Sequence, residues 1–153
     1  MSPTPSANPL DAHLGFWLRF VSNHVSARFQ KLLEAQGTTV TEWVALRTLF
    51  DKPHTTHAEL IDALGMTKGA ASKVISRLEE KGLALRQQAE GSAREQRLSL
   101  TDAGRALVPT LADQADQNEE HFFGHLSPEQ RAVLVNTFQG LVTHHQLKQV
   151  PVA

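Results

Sequence analysis

Apolar residues recur every three to four positions at Leu14, Trp17, Leu18, Val21, Val25, Phe29 and Leu32, the period of one face of an α-helix. Asp11 stands where it can cap the start of this helix, and Gly37 where it can end it. A second helix is predicted to be capped by Thr41, to turn Trp43, Leu46 and Leu49 or Phe50 inward, and to stop at Pro53. Thr56-His57-Ala58-Glu59 has the spacing of a capping box, in which threonine oxygen and glutamate carboxylate each satisfy an orphan backbone donor. The helix it opens is short, because Gly65 follows Leu60, Ile61 and Leu64 closely. After the tight Gly65-Met66 connection, Thr67 is predicted to cap a further helix that runs to Lys81 and ends at Gly82. Two short helices joined by one tight turn make a helix-turn-helix pattern.

From Leu83 the period falls to two. Leu83 and Leu85 alternate with polar neighbours, and Leu98 and Leu100 do the same after a polar interval whose tip is Ala89 to Glu95. This predicts a β-wing. Thr101 then caps a long helix carrying Leu107, Leu111, Phe122 and Phe123, with a kink expected at Pro109. Ser127-Pro128-Glu129-Gln130 places serine at the cap, proline at the first helical position and glutamine at the third, and opens a last helix bearing Leu134, Phe138, Leu141 and Val142. The expected fold is mainly α with a small two- to three-stranded β-wing, a winged helix-turn-helix over residues 40–101 between flanking helices. Residues 1–10, with three prolines in the first nine, read as a flexible arm and not as a signal peptide.

Composition narrows this picture. With 153 residues, 41% hydrophobic and 20% charged, one compact domain per chain is expected. The absence of cysteine excludes disulfides, thiolate metal sites and cysteine redox sensing. No stretch approaches the roughly 20 apolar residues of a membrane span, so the expectation is a cytoplasmic protein with no membrane partner. The net charge of −1 conceals an uneven distribution. Residues 66–105 hold eight Lys and Arg against five Asp and Glu, a local charge of +3, while the remainder holds seven against eleven. A basic centre of this kind attracts a phosphate backbone over one face whatever the total.

On the helix of residues 68–81, Ala71, Val74, Ile75 and Leu78 form an apolar stripe that should pack inward. Lys68, Gly69, Ser72, Lys73, Ser76 and Arg77 share the opposite side, with Thr67 at its start. Small hydroxyls between cations suit a helix that enters a major groove about 12 Å wide while longer side chains reach bases and phosphates. A merely solvated helix face is the plainer alternative. Arg94 at the wing tip could reach an adjacent minor groove, or could pair at the surface with Glu90 or Glu95.

At this point the sequence resembles the MarR-type transcriptional regulators. The matching elements are Thr41-Glu42-Trp43-Val44-Ala45-Leu46, Glu59-Leu60, Leu64-Gly65-Met66-Thr67, Ala71-Ser72, Val74-Ile75, Leu78-Glu79, Lys81-Gly82-Leu83, and Arg94 leading into Leu98-Ser99-Leu100-Thr101 with Gly104. The resemblance spans about residues 11–145. It implies a winged helix held in a homodimer on double-stranded DNA, acting at a pseudo-palindromic operator as a repressor or activator, often relieved by a small aromatic or phenolic effector. Residues 11–36 and 102–146 would then be the dimerisation region, with Leu14, Trp17, Leu18, Leu134, Phe138 and Leu141 at the interface. Thr67, Lys68, Gly69, Ser72, Lys73, Ser76 and Arg77 would meet the major groove, and Arg94 the minor groove. Family wings commonly place an aspartate two residues before that arginine and another arginine just before it; here Ser92 and Ala93 stand instead.

Other constellations are less specific. Trp17, His24 and Trp43 could line the effector pocket, although large aromatics at helical spacing are more often core. His121 and His125, spaced four apart, could share a metal, which keeps a metal-responsive regulator on the same scaffold as an alternative. A third ligand is not identifiable, and histidines near a helix end are also favoured by its negative terminus, so no metal or cofactor is expected. Asp113, Asp116, Glu119 and Glu120 read as a solvated surface. A winged-helix protein-interaction module is the remaining alternative. No motif suggests an enzyme, for there is neither a glycine-rich phosphate loop nor a recognisable nucleophile, base and acid set.

Overall fold

The computed structural model describes residues 4–88 and 96–148. A single 3-10 turn, Leu10–Ala12, precedes α1 (Leu14–Glu34), α2 (Val40–Phe50), β1 (Thr55–Thr56), α3 (His57–Leu64), α4 (Lys68–Glu80), β2 (Ala84–Gln88), β3 (Gln96–Leu100), α5 (Asp102–Phe123) and α6 (Pro128–His144). The sheet is antiparallel with order β1-β3-β2. No helix among the described residues is long and apolar enough to cross a membrane.

Local chemistry sets most boundaries. Thr56, Thr67 and Thr101 each accept a hydrogen bond from the backbone amide three residues on, the expected function of a helix cap. Ser127 and Gln130 complete a reciprocal capping box. Gly37, Gly65 and Gly82 adopt positive φ at the ends of α1, α3 and α4, where a β-carbon would be strained. Two caps differ from expectation. Asp11 lies in the 3-10 turn, and α1 starts at Leu14 behind His13, whose side chain makes no capping bond. Thr39, not Thr41, caps α2 by accepting from the Glu42 amide at 3.2 Å, and Thr41 lies inside the helix, where its hydroxyl meets that of Thr39. With two threonines in one first turn, spacing from the apolar residues does not separate cap from interior.

The core joins Leu33 of α1, Ala45, Leu46 and Leu49 of α2, Leu60 and Leu64 of α3, Ala71, Val74, Ile75 and Leu78 of α4, Ala84, Leu98 and Leu100 of the sheet, and Val108 and Leu111 of α5. In β3 the expected alternation holds, with Leu98 and Leu100 buried. In β2 it is shifted by one residue: Ala84 is buried and Leu85 is 48% exposed. Register explains the shift. Ala84 pairs with Leu100 and Arg86 with Leu98, and directly paired residues share a face of the sheet. Leu83 packs against the core from the turn after α4, where its amide bonds Leu78 O and that of Gly82 bonds Glu79 O; its apolarity belongs to the helix end.

The same turn is clamped from α5. Thr101 donates its hydroxyl to Gly82 O at 2.7 Å and its amide to Leu83 O at 3.1 Å. Gly104 lets the helix approach, since a β-carbon there would lie 2.2 Å from Leu83 O. Past Pro109, α5 remains one continuous helix. It is tied to α1 by buried Asn118, which accepts from Arg28 at 3.0 Å and donates to Val25 O at 3.1 Å.

Candidate nucleic-acid interface

The α4 helix divides as its sequence pattern requires. Ala71, Val74, Ile75 and Leu78 are buried to 1% exposure or less, and this stripe fixes the opposite face outward. Thr67, Lys68, Gly69, Lys73, Ser76 and Arg77 are exposed, and Ser72 is half-buried. Thr67 holds the first turn through the Ala70 amide. A β-carbon on Gly69 would meet nothing within 4 Å, so that stretch of backbone is open to a close external approach. Arg77 folds back weakly on Lys73 O at 3.5 Å. Among the described residues, neither Lys73 nor Lys68 has a salt-bridge partner. Cations without an ion-pair partner among the described residues, on the outward face of a packed helix, are available to phosphates and base edges.

Three further residues position α4, and the pattern along the chain did not single them out. Lys81, at its C-terminus, donates to both carboxylate oxygens of Glu42 at 2.9 and 2.6 Å and to Gly37 O at 2.9 Å. Glu42 is fully buried, so this ion pair locks α4 to α2 and to the end of α1. Arg86 reaches from β2 to Glu79 at 2.8 Å and to the Ser76 hydroxyl at 3.5 Å, joining wing to helix. Its signal was its pairing with inward-facing Leu98, obscured by the alternation of Leu83 and Leu85 just before it. His57, the first residue of α3, brings Nε2 to 3.4 Å from the Ser72 hydroxyl. Burial, then Arg86 and Lys68, hold its pKa below the ordinary 6.5.

The other expected sites divide differently. Arg94 and the wing tip lie outside the described residues. Trp17, His24 and Trp43 do not meet in one described cavity. Trp17 is half exposed and donates to Asp11 O at 2.8 Å, His24 packs on Phe20 with ring centroids 5.2 Å apart, and Trp43 packs against the core from α2. A cleft of about 540 Å³ between α1 and α2 is lined instead by Ser26, Phe29, Gln30, Glu34, Thr39, Val40 and Thr41. His121 is in the last turn of α5, but that helix ends at Phe123, so His125 lies beyond it and the shared helical face is lost. Among the described residues no group of three or more His, Asp or Glu could hold a metal. Leu14, Trp17, Leu18, Leu134, Phe138 and Leu141 are between 42% and 88% exposed.

A helix-turn-helix whose second helix presents cations and hydroxyls, backed by a three-stranded wing, defines a winged helix-turn-helix protein. Residues 38–96 match the model of the MarR family. The chain is 34% identical over 98 residues to a helix-turn-helix transcriptional repressor of Mycobacterium tuberculosis, covering 64% of this chain and 70% of that protein. To the transcriptional regulator HosA of Escherichia coli O157:H7 it is 28% identical over 118 residues, 77% of this chain and 86% of HosA. The fold is similar to that of BpsR from Bordetella bronchiseptica, whose structure concerns regulation of DNA binding by 6-hydroxynicotinic acid, with a TM-score of 0.77 and 24% identity over 89% of this chain and 97% of BpsR. The protein belongs to the MarR family of transcriptional regulators.

Proposed function

We propose that this protein is a homodimeric repressor that binds a pseudo-palindromic operator in the cytoplasm and releases it on binding a small aromatic or phenolic effector. The observation that carries the DNA reading is the two-sided character of α4: a buried stripe that cannot rotate, and opposite it Lys68, Gly69, Ser72, Lys73, Ser76 and Arg77 facing outward. Residues 40–101 would form the DNA-binding region. Residues 11–36 and 102–146 would form the dimerisation region, because Leu14, Trp17, Leu18, Leu134, Phe138 and Leu141 leave an apolar surface that a second copy would cover. Two recognition helices related by a two-fold axis would meet half-sites about one helical turn apart.

The effector reading rests on BpsR, whose DNA binding is regulated by an aromatic acid. The cleft between α1 and α2 carries a carboxylate, an amide and hydroxyls beside Phe29, a lining that favours a phenolic donor over an anion. Footprinting the purified protein on its own promoter region tests the whole reading. Protection of an inverted repeat, with salt-sensitive preference over random duplex, is the expected result. Equal affinity for every duplex would overturn it.

A further inference from the structure

His57 is placed where three elements of the DNA-binding region meet. It opens α3, its Nε2 faces Ser72 of α4 at 3.4 Å, and the two charges that act on its ring are Lys68 of α4 and Arg86 of β2. Both are positive. Arg86 is partly balanced by Glu79, while Lys68 has no ion-pair partner among the described residues. Of the other charged groups nearby, Arg97 of β3 stands in register with Thr56, and Glu59 of α3 is engaged by Lys52 at 3.3 Å. No hydrogen bond among the described residues reaches Nδ1 of His57. A ring, a hydroxyl and two cations meet here, Glu79 balances only Arg86, and Lys68 is left without an anion among the described residues, which is the chemistry of a site that can take one.

We infer that His57 is itself a DNA contact: with Lys68, Ser72 and Arg86 it forms a corner that takes one backbone phosphate at the mouth of the major groove. The inference rests on the proposed DNA-binding function and adds a residue to it. A consequence follows for protons. In the free protein burial and the two cations keep the ring neutral near pH 7. A phosphate in the corner reverses the sign of the local charge and favours the imidazolium. Between the free and bound titration points, binding takes up one proton, so affinity rises as pH falls through that interval, by up to about tenfold per pH unit. It levels off once the free ring is also protonated.

The test is fluorescence anisotropy with a labelled duplex of mixed sequence, in the full chain and in His57→Gln, His54→Gln and Ser72→Ala. Non-specific duplex suffices, because phosphate contacts carry its binding. For the wild type, affinity should rise as pH falls from 8 to 6. His57→Gln should lose this rise, binding no more tightly at pH 6 than at pH 8, and His54→Gln should keep it. Ser72→Ala should retain the pH effect. If His57→Gln keeps the wild-type pH dependence, the inference is overturned and DNA binding stands. If the wild type binds no duplex at low salt, the proposed function falls and this contact with it.

Discussion

Between Val40 and Leu100 the chain buries twelve of the fifteen residues in its hydrophobic core, whereas the 17-residue helix α6 buries none. Both regions are rich in apolar side chains. Val133, Leu134, Val135, Phe138, Leu141 and Val142 of α6 are each at least 40% exposed, as are Leu14, Trp17, Leu18, Phe20 and Val21 of α1. The difference lies in where the covering surface comes from. The central region closes on itself through short connections, so its rigidity is a property of one chain. The terminal helices carry an apolar face that no partner among the described residues covers, and a surface of that kind marks an interaction site. Under the proposed function, recognition chemistry would sit on a scaffold closed within one chain, and the apposition of two such scaffolds would fall to the ends.

The largest effect is expected at Lys81. Lys81→Met leaves the buried Glu42 carboxylate without its cation and should cost about 3 kcal/mol in chemical denaturation, at every protein concentration, because the fault lies within one chain. Replacing Glu42 with Leu in the same variant should recover part of the loss. At the other end, Phe138→Ala should weaken self-association by about 2 kcal/mol, roughly thirtyfold, and analytical ultracentrifugation should show the monomer at concentrations where the wild type is dimeric. A wild-type protein that sediments as a monomer would show that the exposed apolar face of the terminal helices is not covered by a second copy. Lys73→Ala should change neither stability nor mass, but should reduce the salt slope of DNA binding by about 1. An unchanged slope would place that lysine outside the interface. The smallest effect is expected from Ser127→Ala, which removes the α6 capping box and should lower stability by about 1 kcal/mol, read as faster amide exchange in the first turn of α6 with α4 unaffected.

The legibility of the fold followed the range of the interactions that make it. Thr56, Thr67, Thr101 and Ser127 were readable as caps because donor and acceptor lie within three residues of each other. The outward face of α4 was readable because the periodicity of one helix fixes it. Thr39 was missed because Thr41 offers the same chemistry two residues later. The inward face of β2 was misassigned because Leu83 belongs to a helix end and the pairing with β3 sets the register. The helical face shared by His121 and His125 disappeared because α5 stops at Phe123.

By itself the sequence determined the order of helices and wing, the helix-turn-helix, and the polar face of α4 with its cations, since each depends on side chains a few residues apart. Only the tertiary structure decided what holds and surrounds that face. The tie from Lys81 to Glu42 crosses 39 residues, the contact of His57 with Ser72 crosses 15, and the clamp of Thr101 on Gly82 crosses 19. Pairings of that range leave no periodic trace along a chain, because each is set by the packing of whole elements.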